Sequence, residues 1–196
     1  LPKIDRPNDI VPGSPLRNSL GHVVETNREN LIAAMLNVGN QGNMTVLARG
    51  YHTTPAEIMG WIHANATQKD WNFVSAVWDL WEKHLWKDQE RTAIEMTGVG
   101  LRKVEPQEIQ TPFGTIRGGY YPLVEDFTSI DKKVRGDKNM LVGQMPPVPT
   151  ATYMKQRTGA AYPLDLDLGR LGSKIGEAIH YIGYAKRSEE HTSELQ

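Results

Sequence analysis

Trp71, Val74, Trp78, Trp81 and Leu85 follow one another at steps of 3, 4, 3 and 4. That rhythm lays all five on one face of an α-helix. Phe73, Val77 and Leu80 form a second apolar face beside the first, and neither Pro nor Gly interrupts the chain from Thr67 to Thr97. A helix that is apolar on two faces packs against more than one neighbour. The pattern therefore predicts a long, central, Trp-rich helix over about 68–97, with those first five side chains in the core. Thr67 is its expected N-cap, and Asp70 stands at the third helical position, where a carboxylate suits the free N–H groups and the helix dipole.

The same signals mark other helices. Asn27 is a candidate cap before RENLIAAMLNV, with Leu31, Met35 and Val38 on one face and Gly39-Asn40 as the stop. A start near Ser19, with helical character from Leu20, is the alternative. Asn43 to Gly50 reads as a short helix or turn. Thr54-Pro55 with Glu57 in the first turn predicts a helix to about Ala64. A last helix carries Ile175, Ile179 and Ile182 on one face. Between these helices the texture changes after Gly98. Short strands are expected near Arg102–Val104, Ile109–Thr111, Thr115–Ile116 and Tyr120–Val124, with a turn at Pro112-Phe113-Gly114 and a bulge or close backbone approach at Gly118-Gly119. The fold class is mainly α: an irregular bundle around the Trp-rich helix, with a small β-hairpin insertion at about 102–124. Pro2, Pro7, Pro12 and Pro15 make 1–19 an extended lead-in or linker. The helical domain covers 20–186 and is expected to be incomplete at its C-terminal end.

Composition narrows the chemistry. With 22 basic and 23 acidic residues, no charge excess demands a nucleic-acid or membrane partner. The absence of Cys removes disulfides, thiol catalysis and Cys-based zinc or iron–sulfur sites. No apolar run reaches the length of a membrane span. The P-loop, dinucleotide-binding, G-x-S-x-G and H-E-x-x-H patterns are all missing from the sequence.

What remains is a set of isolated candidates. Glu177 and His180 form an E-x-x-H, the i, i+3 pair of di-metal bundle sites; no second E-x-x-H accompanies it, so a surface role is the simpler reading. Glu125-Asp126 and the Asp165/Asp167 pair could serve acid–base or cation chemistry, but a D-x-D before a helix ordinarily caps and positions. His22, His52, His63 and His84 are scattered without a zinc spacing. Lys132, Lys133, Arg135 and Lys138 form a small basic cluster that could make a weak DNA contact, although Asp131 and Asp137 flank it. No cofactor and no catalytic residue is expected.

Several motifs together carry a resemblance. They are Val77-Trp78-Asp79, Thr97-Gly98-Val99, Thr111-Pro112-Phe113-Gly114, Gly118 to Pro122, Arg157-Thr158, Pro163 to Leu168 and Ile179-His180. In this order and spacing, over about Leu31 to Tyr184, the chain resembles a segment of very large phage and prophage polyvalent proteins. Some of these are described as PLxRFG-domain proteins, others as internal virion or anti-restriction proteins. Tyr181 stands where that pattern has Asp, which leaves His180 without an H-D pair. The resemblance implies a non-enzymatic structural or scaffold segment of a virion-associated or ejected polypeptide, whose catalytic modules are separate domains. Its partners would be the remaining domains of the parent polypeptide and other virion proteins, in the phage virion or the host cytoplasm. The alternatives are a nucleic-acid-contacting module using Lys132, Lys133, Arg135 and Lys138, and a metal-dependent enzyme using Glu177 and His180.

Arg187 to Gln196 reads RSEEHTSELQ. This resembles the in-frame translation of a sequencing adapter, so 187–196 is expected to be an artefactual tail. Truncation after Lys186 should then change stability by no more than about 0.5 kcal/mol, the usual range for surface changes. Thermal melting of the two chains checks this, and a large loss would show that the tail packs.

Overall fold

The computed structural model describes residues 1–101, 104–123 and 163–193. Within them the protein is a mainly α-helical bundle with a small two-stranded hairpin. The helices are α1 (Arg28–Asn37), α2 (Gln41–Gly50), α3 (Pro55–Asn65), α4 (Gln68–Asp79), α5 (Trp86–Thr97) and α6 (Arg170–Ser193), and a π-helical segment (Leu80–Leu85) joins α4 to α5. Strands β1 (Glu108–Thr111) and β2 (Gly114–Arg117) pair antiparallel, Glu108 opposite Arg117 and Thr111 opposite Gly114.

Caps set the helix starts. Asn27 and Asn30, Thr54 and Glu57, and Thr67 and Asp70 form reciprocal capping boxes, each side chain bonding the other's backbone N–H. Asn40 caps α2 by accepting from the Asn43 N–H at 2.9 Å. The helix begins at Arg28, and the alternative start near Ser19 is not adopted. Residues 20–26 instead fold back on the lead-in: Arg17 bridges to Val23, and the Val24 N–H donates to the Leu16 carbonyl at 2.8 Å. The lead-in is extended, as its prolines require, but it is no loose linker. Val11 and Leu16 are buried in the main core. The Pro12 carbonyl accepts from the Trp61 indole N–H at 3.1 Å.

The core centres on α1 as much as on the Trp-rich helix. Every residue from Leu31 to Asn40 is buried, which is the signature of a helix enclosed on all sides. Trp71, Val74, Trp78, Trp81 and Leu85 are buried against it in one cluster with Leu31, Ile32, Met35 and Leu36. Asp70 in α4, buried at 4% exposure, pairs with Arg28 in α1 at 3.3 Å. The long helix is not uniformly α. At Leu80–Leu85 it widens by a π turn, and the Trp86 N–H donates to the Trp81 carbonyl five residues back. The inward rhythm accordingly takes a five-residue step from Trp81 to Trp86 before resuming at Gln89 and Ala93, all of them buried.

On α6 the inward stripe is Leu171, Ala178 and Tyr181, with Ile175 and Ile182 half-buried. Ile179 is 56% exposed, so the expected isoleucine face is rotated away from the core at that position. The Tyr51 hydroxyl donates to the Leu164 carbonyl at 2.6 Å and ties the strand-like approach to α6 onto α2.

The hairpin turns at Pro112-Phe113, and Gly114 sits at φ 120°, in the region that favours glycine. Val104 and Tyr120 to Leu123 form no strand, while Arg102, Lys103 and Val124 lie outside the described residues. The close approach expected at Gly118-Gly119 is real. A methyl group on Gly118 would strike the Gly39 carbonyl, and one on Gly119 would lie 2.5 Å from the Trp78 Cβ. Around this contact the Gln107 N–H donates to the Gly39 carbonyl at 3.1 Å, and Gln107 Nε2 donates to the Val38 carbonyl at 2.7 Å. Asn43 Nδ2 reaches the Tyr121 carbonyl at 2.7 Å, and Trp78 Nε1 donates to the Leu36 carbonyl at 3.1 Å.

Trp78→Ala should therefore cost about 3–5 kcal/mol, the range for removing a large buried aromatic. Gly119→Ala should cost at least the ~1–3 kcal/mol of an overpacked core. Urea unfolding of both variants checks this, and a parent-like midpoint for either would place the hairpin off the core.

Candidate functional site

The E-x-x-H pair of α6 does not converge on a site. Glu177 and His180 are both exposed, and Glu177 Oε2 accepts from Lys174 Nζ at 2.8 Å. Among the described residues, no three His, Asp or Glu side chains come close enough to hold a metal ion. Asp165 and Asp167 shape the entry to α6. Asp165 accepts from the Asp167 N–H and from Arg170 Nε, both at 2.9 Å, and Asp167 accepts from the Gly169 N–H at 2.8 Å. His22, His52, His63 and His84 are exposed on separate elements. Lys132, Lys133, Arg135 and Lys138, with Glu125 and Asp126, lie outside the described residues.

Asp165 and Asp167 do act on one buried group. Burial first, and then these two carboxylates, push the Tyr121 phenol up to about 12. Tyr121 also belongs to the hairpin's attachment, through its carbonyl and Asn43.

A different place brings polar and aromatic groups together. A small cleft, with room for about one water molecule, lies where the π segment meets the residues flanking the hairpin. Trp81, Trp86 and Gln89 supply one wall, and Pro106, Gly119 and Tyr120 the other. Trp81 and Tyr120 meet edge to face, with ring centroids 5.9 Å apart at 84°. At the rim Glu82 pairs with Arg117 of β2 at 2.9 Å, bracing the hairpin against the helix. The π turn builds the helical wall by turning both Leu85 and Trp86 inward, and such segments recur at functional sites.

The hydrogen-bonding state of this wall is unusual. Trp81 Nε1 and Gln89 Nε2 are buried and have no hydrogen-bond partner among the described residues. A buried donor left without a partner costs roughly 1–3 kcal/mol. Both are on residues lining the cleft, where an acceptor oxygen would relieve that cost. Periodicity alone reads Trp81 as core and passes over Trp86, Gln89 and Tyr120. The available signal was Gln89, a polar residue at an inward position of an otherwise apolar stripe.

Tyr121 gives a pH dependence of defined sign. Below pH 10 the phenol is protonated whether the chain is folded or not. Between pH 10 and about 12 the unfolded chain releases the proton while the folded one keeps it. Stability present below pH 10 is thus lost as pH rises through that window, by about 2–3 kcal/mol in total. Urea midpoints at pH 9, 10 and 11 should fall in the parent, and should fall less steeply in Tyr121→Phe.

No helix among the described residues is long and apolar enough to cross a membrane. Compared with known proteins, the chain matches no family model, no curated protein and no solved structure.

Proposed function

We propose that the chain is a non-enzymatic structural segment of a large phage virion-associated or ejected polyvalent protein, acting in the virion or the host cytoplasm. The observation that carries this reading is how its buried and half-buried polar side chains are used. Asn37, Asn40, Asn43 and Gln107 bond the Ala33, Gly119, Tyr121 and Val38 carbonyls respectively. Their chemistry serves to hold one shape. The motif order described above supplies the phage context.

A second feature suits a segment with neighbours. Ile10, Leu20 and Val23 are 67%, 76% and 56% exposed on the N-terminal fold-back. Apolar side chains left in water favour association where a partner covers them. The partners that fit are the remaining domains of the parent polypeptide and other virion proteins.

Sedimentation velocity and thermal melting of this chain, alone and extended by the adjoining parent residues, test the proposal. The isolated chain should self-associate, and the extension should suppress association and raise the melting temperature. A monomer that gains nothing from the extension would overturn it. So would salt-dependent DNA binding through Lys132, Lys133, Arg135 and Lys138, or a metal bound near 1:1 and lost in Glu177→Ala or His180→Ala.

A further inference from the structure

We propose that the chain dimerises by exchanging its lead-in: residues 1–18 of one copy leave their own body and take the same place on a second copy. The inference stands apart from the structural role above and rests on the N-terminal fold-back alone.

The lead-in is bound by contacts that an identical chain supplies equally well. The Pro7 and Asp9 carbonyls accept from the Glu29 and Arg28 N–H groups at 3.1 and 3.0 Å, at the start of α1. The Pro12 carbonyl accepts from Trp61 Nε1, the Arg17 N–H donates to the Tyr51 carbonyl at 2.9 Å, and Leu16 is fully buried. Exchange re-forms all of these between chains and so conserves them. Pro2, Pro7, Pro12 and Pro15 keep the lead-in extended once detached, which lowers the entropy lost on rebinding.

The joint between lead-in and body has no anchor in the core. Every residue from Arg17 to Val23 is exposed. The turn is closed locally, by backbone bonds from Asn18 to Gly21 and His22, by the Asn18 side chain, and by Gly21 at φ 80°. Within one chain Arg17 faces Val23. Opening the turn into a straight strand and keeping that register between two copies sets Leu20 opposite the partner's Leu20, on the two-fold axis. Strand alternation puts Leu20 on the face of Leu16 and Val24, both packed on the core. In the closed turn Leu20 is the most exposed large apolar side chain among the described residues, at 76%. Exchange covers it.

The test uses the full chain, which has no Cys. Arg17 and Val23 are a non-hydrogen-bonded antiparallel pair, flanked by the Asn18-to-His22 and Val24-to-Leu16 bonds. Such pairs sit about 4.5 Å apart at Cα, within disulfide reach. Dimers of Arg17→Cys/Val23→Cys, isolated by size exclusion and oxidised with diamide, should run as covalent dimers on non-reducing gels. Either single variant should not. Gly21→Val strains the closed turn but not an open strand, and should tighten dimerisation at least tenfold in sedimentation velocity. Leu20→Asp sets like charges face to face, and should weaken dimerisation at least tenfold while the monomer melts as the parent does. Dimers whose disulfides stay within one chain, single variants that link as well as the double, a Gly21→Val chain that stays monomeric, or a Leu20→Asp chain that dimerises like the parent would each overturn the proposal.

Discussion

The hairpin reaches the helical core because three residues on its path have no side chain. Gly39 ends the α1 turn, Gly118 and Gly119 follow β2, and a methyl group on any of them would collide with backbone or with Trp78. This contact is closer than ordinary side-chain packing permits. It lets backbone meet backbone, so the Gly39 carbonyl and the Gln107 carbonyl both find N–H partners there. Trp78 closes the arrangement from below, its indole tied to the Leu36 carbonyl. The cleft depends on the same contact, since Gly119 and Tyr120 form part of its wall and are placed by it.

The π turn is the second constraint. A strict α-helix through Trp81 would carry its inward face on to Leu85 and then Gln89, with Trp86 turned partly away. One inserted residue lets Leu85 and Trp86 both stay buried. The widened turn thus keeps two large apolar side chains out of water. Gln89 stays in the buried row, where its amide nitrogen has no partner among the described residues.

Much of this was legible because it is local. Asn27, Thr54-Pro55 and Thr67 are cap signals whose chemistry is complete within four residues, and all three mark real helix starts. The Pro112-Phe113-Gly114 turn and the glycine pair after it were readable for the same reason. What escaped depends on contacts far apart in sequence. Prolines show that the lead-in is extended, but not that Leu16 is buried against helices that come later. Ile179 shares its spacing with Ile175 and Ile182, yet Ala178 and Tyr181 take the inward positions. Small and aromatic side chains win there because the space against the neighbouring helix, not hydrophobicity alone, decides the rotation of α6. Trp86 escapes a regular period because the π turn inserts a residue just before it.

Buried polarity divides this core into two kinds of place. At the α1–α2 corner, Asn37, Asn40 and Asn43 are buried and each bonds a carbonyl, so they add specificity without leaving a donor stranded. Along the Trp-rich helix, Trp71 Nε1, Trp81 Nε1 and Gln89 Nε2 have no partner among the described residues. Replacing Gln89 by a residue without polar atoms would remove its cost at little loss of packing. Two of these three donors, Trp81 Nε1 and Gln89 Nε2, are on residues that line the cleft. At Trp61 and Asn65, by contrast, an indole N–H and a carboxamide N–H share the Pro12 carbonyl, so the donors there are satisfied by the lead-in that crosses α3.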